Sequence, residues 1–395
     1  MALILCFDTE NTGAQRNKAN PYDPRNECVI ICTKIRDSVL KEEHSQSWNP
    51  KDPLAMGRLA KLFTEADLIV GMNLKYDLAW ARRLGLSWKD DVKFWDIQLV
   101  HFIYGAQLER FPSLNSIAAN HNLPSKLDLV ATEYWDKGLD TDDVPWDILD
   151  EYCSYDVELT LSCALLQMQQ FRTINDKLKK TIQLALEDLS VLFDMEYNGF
   201  LYDVEASLTK GKELELRSMD IRSRLSAITG TENLEINWGS NDQISAVLYG
   251  GTVKRTTKED YIFEYKDPKK ESVWKKRNVI TEHVLPRIFT PLPKSEMAKA
   301  GVFSTNESTL RKLKTTKKNK EIIDLLLELA KVDKLSSTYF FGLPKVIGEQ
   351  GWDHDNKIHC GLNQCIVITG RLSSTKPNLQ NQPEDTAFCF KSRFT

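Results

Sequence analysis

Apolar residues fall first into short runs alternating with helical stripes, and beyond Asp176 mainly into helical stripes. Leu3-Ile4-Leu5-Cys6-Phe7 is an unbroken apolar run, the pattern of a buried strand, and it ends in Asp8-Thr9-Glu10 with Thr12-Gly13 following. Cys28-Val29-Ile30-Ile31-Cys32 predicts a pairing strand, and Asp67 to Asn73 a third. Helices are expected over Leu54–Phe63, Leu74–Leu84, Ser113–Asn120 and Leu127–Tyr134. Pro145-Trp146 opens a long helix to about Phe171, with proline in the first turn where its missing N–H costs nothing. Strands alternating with helices argue for an α/β domain on a mixed sheet, with functional groups gathered at strand ends.

Beyond Asp176, Leu178, Ile182, Leu186, Leu189 and Phe193 recur at helical spacing, and Asn198-Gly199 marks the turn after them. Leu216–Ile228 predicts a further helix closed by Gly230. Ser240-Asn241-Asp242-Gln243 has the capping-box pattern ahead of Ile244–Leu248. Gly250 to Pro293 is basic, contains aromatics and lacks helical signals. It reads either as a phosphate-tracking segment, with Lys254, Arg255, Lys275, Lys276 and Arg277 beside Tyr261, Tyr265 and Trp274, or as an extended surface hairpin. Glu321–Leu335 predicts a strongly apolar helix.

Composition sharpens this picture. With 395 residues, 42% hydrophobic and 27% charged, the chain is expected to form two or three globular domains. The net charge of −4 is uneven: Thr252 to Lys320 holds 18 Lys/Arg against 8 Asp/Glu, leaving the remainder acidic. A basic segment beside an acidic domain suggests a polyanion for one and metal ions for the other. The eight cysteines are scattered without a Cys-x-x-Cys pair, so neither a zinc site nor a disulfide framework is expected, and a reducing, cytoplasmic compartment fits. No membrane-spanning run or signal peptide is evident.

Because side chains alternate along a strand, Asp8 and Glu10 point to one side and Thr9 to the other. Paired carboxylates on a rigid strand suit Mg²⁺ or Mn²⁺. Asp77 stands at the start of a predicted helix, near the positive end of its dipole. Asp96 is assigned a supporting role. Tyr152 and Asp156, four apart, share one helical face.

In order, Asp8-x-Glu10, Asn73-Leu74-Lys75-Tyr76-Asp77 and Tyr152-x-x-x-Asp156 resemble the three motifs of a DEDD-type 3′–5′ exonuclease. The tyrosine variant is indicated, since the histidine variant would place His where Glu151 stands. The resemblance implies a ribonuclease H-like fold over residues 1–172. It also implies two-metal hydrolysis of a phosphodiester: Asp8 bridging two Mg²⁺ (or Mn²⁺), Glu10 and Asp156 completing one site, Asp77 supporting the other through water, and Tyr152 orienting the attacking water. A phenol of ordinary pKa near 10 is a poor base at neutral pH, so orientation is the expected role.

A second resemblance lies at the other end. Thr369-Gly370-Arg371-Leu372-Ser373-Ser374, followed by Pro377-Asn378-Leu379-Gln380-Asn381, is similar to a signature of family A DNA polymerases, the DNA polymerase I type. Met195–Asp203, Lys334–Tyr339 and His359–Gln364 resemble that family in the same order, with particular likeness to phage replicative members. The implied architecture is an exonuclease, then a mainly helical thumb over 173–349 with a basic insertion at about 252–292, then the beginning of the palm over 350–395. By the same resemblance Asn73, Lys334, Ser336, Arg371, Asn378, Gln380 and Asn381 contact DNA, Lys334 and Ser336 at backbone phosphates and Arg371 in the minor groove, where an arginine tests pair geometry without reading sequence.

The last residues, Lys391 to Thr395, stand where that family enters the palm strand bearing its first catalytic Asp. The favoured expectation is a split polymerase whose palm and fingers come from a second polypeptide, ahead of an interrupted gene product or a shortened single-chain enzyme. Expected partners are primer–template DNA, a single-stranded 3′ end, that second chain and a processivity factor, in the cytoplasm of a host cell if the chain is phage-encoded. A non-catalytic thumb or clamp scaffold and an RNA-processing exonuclease are the alternatives.

Overall fold

The carboxylate-bearing strand is the centre of a mixed sheet. In a computed structural model, which describes residues 3–13, 19–37, 40–263 and 273–391, the first strand β1 runs over Leu3–Asn11. It is followed by β2 (Cys28–Asp37), β3 (Glu43–Trp48), α1 (Pro53–Glu65), β4 (Leu68–Gly71), α2 (Leu74–Arg83), β5 (Lys93–Asp96) and α3 (Ile97–Tyr104). Among the described residues the sheet order is β3-β2-β1-β4-β5, with β2 antiparallel to β1 and β3, and β4 parallel to β1 and β5. Asp8 pairs with Cys32 and Glu10 with Ile30, and the register breaks between Glu10 and Asn11.

Short helices α4 (Leu114–Asn120) and α5 (Leu129–Glu133) precede the 28-residue α6 (Trp146–Thr173), which packs along β1, β2 and β4. Then α7 (Asp176–Asn198) leads into the short strand β6 (Phe200–Leu201). Leu5, Cys6, Ile30, Ile31, Ile69 and Val70 from the sheet, with Leu78, Leu149, Val157, Leu161, Ile182 and Phe193 from the helices, form one continuous core. The edge strand β3 was not expected. Its sequence Glu43-His44-Ser45-Gln46-Ser47 carries no apolar alternation because its first four residues face solvent, and only Trp48 anchors it in the core.

A second compact unit spans Glu205–Gly342. The helix expected from Leu216 begins at Val204 and runs to Thr229 (α8). Its first half buries Ser207 and Gly211, small residues that apolar periodicity cannot detect, and a Cβ on Gly211 would stand 2.9 Å from the Phe341 ring. In α9 (Asn241–Tyr249) Ser240 caps the Gln243 N–H at 3.5 Å, but the Gln243 carboxamide oxygen accepts from Asn237 N, so the expected box is half formed. The basic segment is a two-stranded ribbon, β7 (Gly251–Phe263) antiparallel to β8 (Val273–Leu285), with Gly251 opposite Leu285 and Phe263 opposite Val273. Tyr265, among the aromatics expected there, lies outside the described residues. After α10 (Glu307–Leu310), α11 (Lys317–Lys334) starts earlier than expected because Thr316 and Asn319 cap one another reciprocally. A π-helical turn, Leu335–Phe340, ends this unit.

The chain then returns to the first unit through α12 (Gly342–Glu349), β9 (Lys357–Ile358), β10 (Gly361–Asn363) and β11 (Ser373–Thr375). β9 pairs with β6, and β10 with β11. Residues 343–391 belong to the same compact unit as the carboxylate sheet. All eight cysteines are free and buried. Among the described residues no helix is long and apolar enough to cross a membrane.

Candidate functional site

Four acidic side chains and one phenol, drawn from β1, α2 and α6, share one electrostatic site. Asp8 and Glu10 end the buried part of β1, and their carboxylate oxygens lie within 4.8 Å of each other and of the Cys153 sulfur. Among the described residues these three form the group spaced to hold a cation; Asp77 and Asp156 stand outside that tight group but act on it. Burial, then the Asp156 charge, pushes the Asp8 carboxyl up to about 7. Burial followed by the charges of Asp8 and Asp156 lifts Glu10 well above the carboxylate range. Asp77 is raised by burial and by Asp8. Like charges brought together out of water resist ionising, and such a site gains by taking up a cation.

Asp77 is buried in the first turn of α2 and accepts from the Thr9 N–H at 3.2 Å and the Thr9 hydroxyl at 2.7 Å. The side chain that turns away from Asp8 and Glu10 thus fixes the third carboxylate. Asp96 has the supporting role expected of it. It caps α3 through Gln98 N and Leu99 N, and also accepts from Asn73 N and Leu74 N, so one carboxylate sets the start of both α3 and α2. Asn73 is exposed in the left-handed region (φ 52°, ψ 44°), which asparagine tolerates, and its side chain does not cap α2.

Tyr152 and Asp156 sit one turn apart on α6, both buried. Tyr152 meets Trp135 edge-to-face at 5.8 Å. Burial, reinforced by the Glu10 charge, raises its phenol further, so it remains a neutral hydrogen-bonding group. Asp156 is raised by burial; its Oδ2 accepts from Lys126 Nζ at 2.8 Å, and its Oδ1 is buried without a partner. Lys126 and Thr9 were missed at the sequence level. Lys126 lies in an unpatterned connection, and Thr9 was taken only as facing away.

These residues fit a hard divalent cation. Oxygen donors crowd together, and one buried carboxylate oxygen, Asp156 Oδ1, lacks the hydrogen bond its burial would otherwise require. Asp8 and Glu10 would hold such an ion, with the Asp156 charge acting on it from outside that tight group. Cys153 gives the rim a softer atom, and its thiol contacts the Asp8 carbonyl oxygen at 3.8 Å.

The remaining expected residues fall elsewhere. Lys334 is exposed at the end of α11. Ser336, in the π-helical turn, is mostly buried, and its hydroxyl donates to the Gly211 carbonyl at 3.3 Å. Arg371, Asn378, Gln380 and Asn381 are exposed around β11. That loop is organised by buried Ser374, which donates to Pro377 O and accepts from Leu379 N, while Gln380 donates to Leu372 O.

Comparison with known proteins agrees with the carboxyl-terminal signature. Residues 276–394 match the model of DNA polymerase family A. DNA polymerase I of Synechocystis sp. is 28% identical over 287 residues, 71% of this chain and 24% of the relative. DNA polymerase I of Pseudomonas aeruginosa is 24% identical over 405 residues, 98% of this chain and 37% of the relative. The DNA polymerase of Bacillus phage SP01 is 24% identical over 339 residues, 82% of this chain and 35% of the relative. The chain thus spans between 24% and 37% of the length of these relatives. The fold is similar to the POL domain of Pol1 from M. smegmatis in complex with DNA primer–template and dNTP, with a TM-score of 0.59 at 16% identity over 97% of this chain and 52% of that one. Residues 276–394 are thus similar to family A DNA polymerases, and the relatives named here come from bacteria and a phage.

Proposed function

We propose that the chain is a 3′–5′ DNA exonuclease with a primer–template-binding surface, serving a family A DNA polymerase. The observation that carries this reading is the convergence of Asp8, Glu10 and the half-partnered Asp156 at the end of one rigid strand, with Asp77 and Tyr152 beside them. In this reading the carboxylates hold and orient divalent ions against the scissile phosphate, with Asp77 kept in place by Thr9. Bound Mg²⁺ or Mn²⁺ supplies activation of water and neutralisation of charge on the leaving oxygen. Tyr152, uncharged at neutral pH, orients the attacking water through its hydroxyl. Buried carboxylates with raised pKa values are a favourable starting point, because cation binding relieves their repulsion.

The exposed Arg371, Asn378, Gln380 and Asn381 loop is a proposed contact with primer–template, the ligand of the M. smegmatis structure, and exposed Lys334 of the second unit is proposed as a separate one. The phage relative supports a role in phage DNA replication within a host cytoplasm. The proposal extends to service in family A DNA polymerisation, assisted by a processivity factor.

The test uses the purified chain, Mg²⁺, nucleotides and a labelled primer–template with a mismatched 3′ end. Shortening of the mismatched end, abolished by Asp8→Ala in a folded protein, is the expected result. Persistent Mg²⁺-dependent shortening in Asp8→Ala overturns the nuclease assignment. Arg371→Ala should weaken binding to duplex primer–template while leaving hydrolysis of a single strand unchanged.

A further inference from the structure

Lys126 places a positive charge inside the carboxylate cluster. Its Nζ donates to Asp156 Oδ2 at 2.8 Å and stands 4.7 Å from the centroid of the Tyr152 ring. The backbone that carries it is secured from two helices: Lys126 N donates to Asn115 Oδ1 of α4 at 2.8 Å, and the Tyr155 hydroxyl of α6 donates to Ser125 O at 3.2 Å. The ammonium is thus held on the side of Asp156 opposite an oxygen that has no partner at all. Its charge also opposes the mutual repulsion of Asp8 and Glu10. An exposed lysine paired with a surface carboxylate would carry little meaning, but this side chain is two-thirds covered and its partner carboxylate is 8% exposed.

We propose that Lys126 is a resident counter-cation of the nuclease site, a positioning residue that holds Asp156 and Tyr152 in place and competes with the divalent ion for Asp156. This inference rests on the nuclease reading. A divalent ion bound at Asp156 would compete with the ammonium for that carboxylate, while the secured backbone would keep Lys126 beside Tyr152. Lys126 therefore weakens metal binding while it keeps the site ordered for hydrolysis, two effects of opposite sign that a purely structural lysine would not produce.

The test titrates the full chain with Mn²⁺ alone, without DNA, by electron paramagnetic resonance or calorimetry, for the native protein and for the neutral variants Lys126→Met and Lys126→Gln. Removal of a charge a few ångströms from the ion should tighten Mn²⁺ binding by about tenfold. Hydrolysis of a single-stranded oligonucleotide at saturating metal should fall by about tenfold or more, because a positioned group of the site is lost. Mn²⁺ affinity equal to or below native in whichever neutral variant keeps the native thermal midpoint overturns the proposal. The two readings fail separately: Mg²⁺-dependent hydrolysis by Asp8→Ala sinks the nuclease itself, whereas unchanged Mn²⁺ affinity in the neutral variants sinks only the role of Lys126.

Discussion

The Thr9 hydroxyl donates to Asp77 Oδ1 at 2.7 Å, so the residue between the two strand carboxylates locks the third one in place. Thr9→Val keeps the shape and removes this bond from a buried carboxylate. A loss of about 1.5–3 kcal/mol is expected in urea unfolding, the usual worth of a hydrogen bond to a charged group. Hydrolysis should fall by about tenfold from misplacement of Asp77. Native stability in Thr9→Val would show that Asp77 is held by other means.

Raised carboxyl pKa values make the stability of the ion-free protein depend on pH. Asp8 is lifted to about 7, and Glu10, Asp77 and Asp156 are lifted as well. The folded state holds these protons more tightly than the unfolded chain. The contribution of Asp8 is complete below its unfolded pKa of about 4 and is lost as pH rises through about 7, and the other three add to it with the same sign. The thermal midpoint in a chelator should therefore decline over that window, with a shallower decline in Asp8→Asn. Mg²⁺ should restore stability increasingly as pH rises, since it binds the ionised form. A midpoint in chelator that is flat across the window would contradict the crowding described here.

Glu196 of α7 joins Lys75 of α2 to the returning segment. Its Oε1 accepts from Lys75 Nζ at 2.5 Å and from Leu362 N at 2.5 Å, and Lys75 also donates to the Leu362 carbonyl. Both side chains are nearly covered. Glu196→Ala leaves a lysine and a backbone N–H without their carboxylate, and about 3–5 kcal/mol should be lost. Hydrogen exchange should accelerate first at Leu362. Loss of stability without faster exchange at β10 would place the effect within α7 alone.

Gly199 ends α7 at φ 65° and ψ 178°, a conformation essentially confined to glycine. A Cβ there would lie 2.8 Å from the His359 ring, which stacks on Tyr22 at 4.2 Å and bonds through Nδ1 to Glu196 O. Gly199→Ala should cost roughly 2 kcal/mol or more from strain and displacement of the imidazole. A chemical denaturation midpoint equal to native would mean that α7 can end another way.

Local pattern made much of the first unit legible. An apolar run does mark the buried strand β1, and helical stripes do mark α1, α2, α6 and α7. Where elements use other chemistry, pattern was silent. The edge strand β3 is polar, and the first half of α8 buries serine and glycine.

The sequence by itself determined the residue types and their order: two carboxylates two apart on a strand, Asp77 in a first helical turn, and Tyr152 one turn before Asp156. Such relations depend on local geometry, the twofold period of a strand and the 3.6-residue period of a helix. Only the tertiary structure decided that Thr9 clasps Asp77, that Asp96 starts two helices, and that Lys126 enters the cluster from a connection without pattern. These contacts span between 22 and 68 residues of chain. They arise from burial, since a polar group taken out of water is costly to leave unpaired and takes its partner from whatever the fold brings beside it.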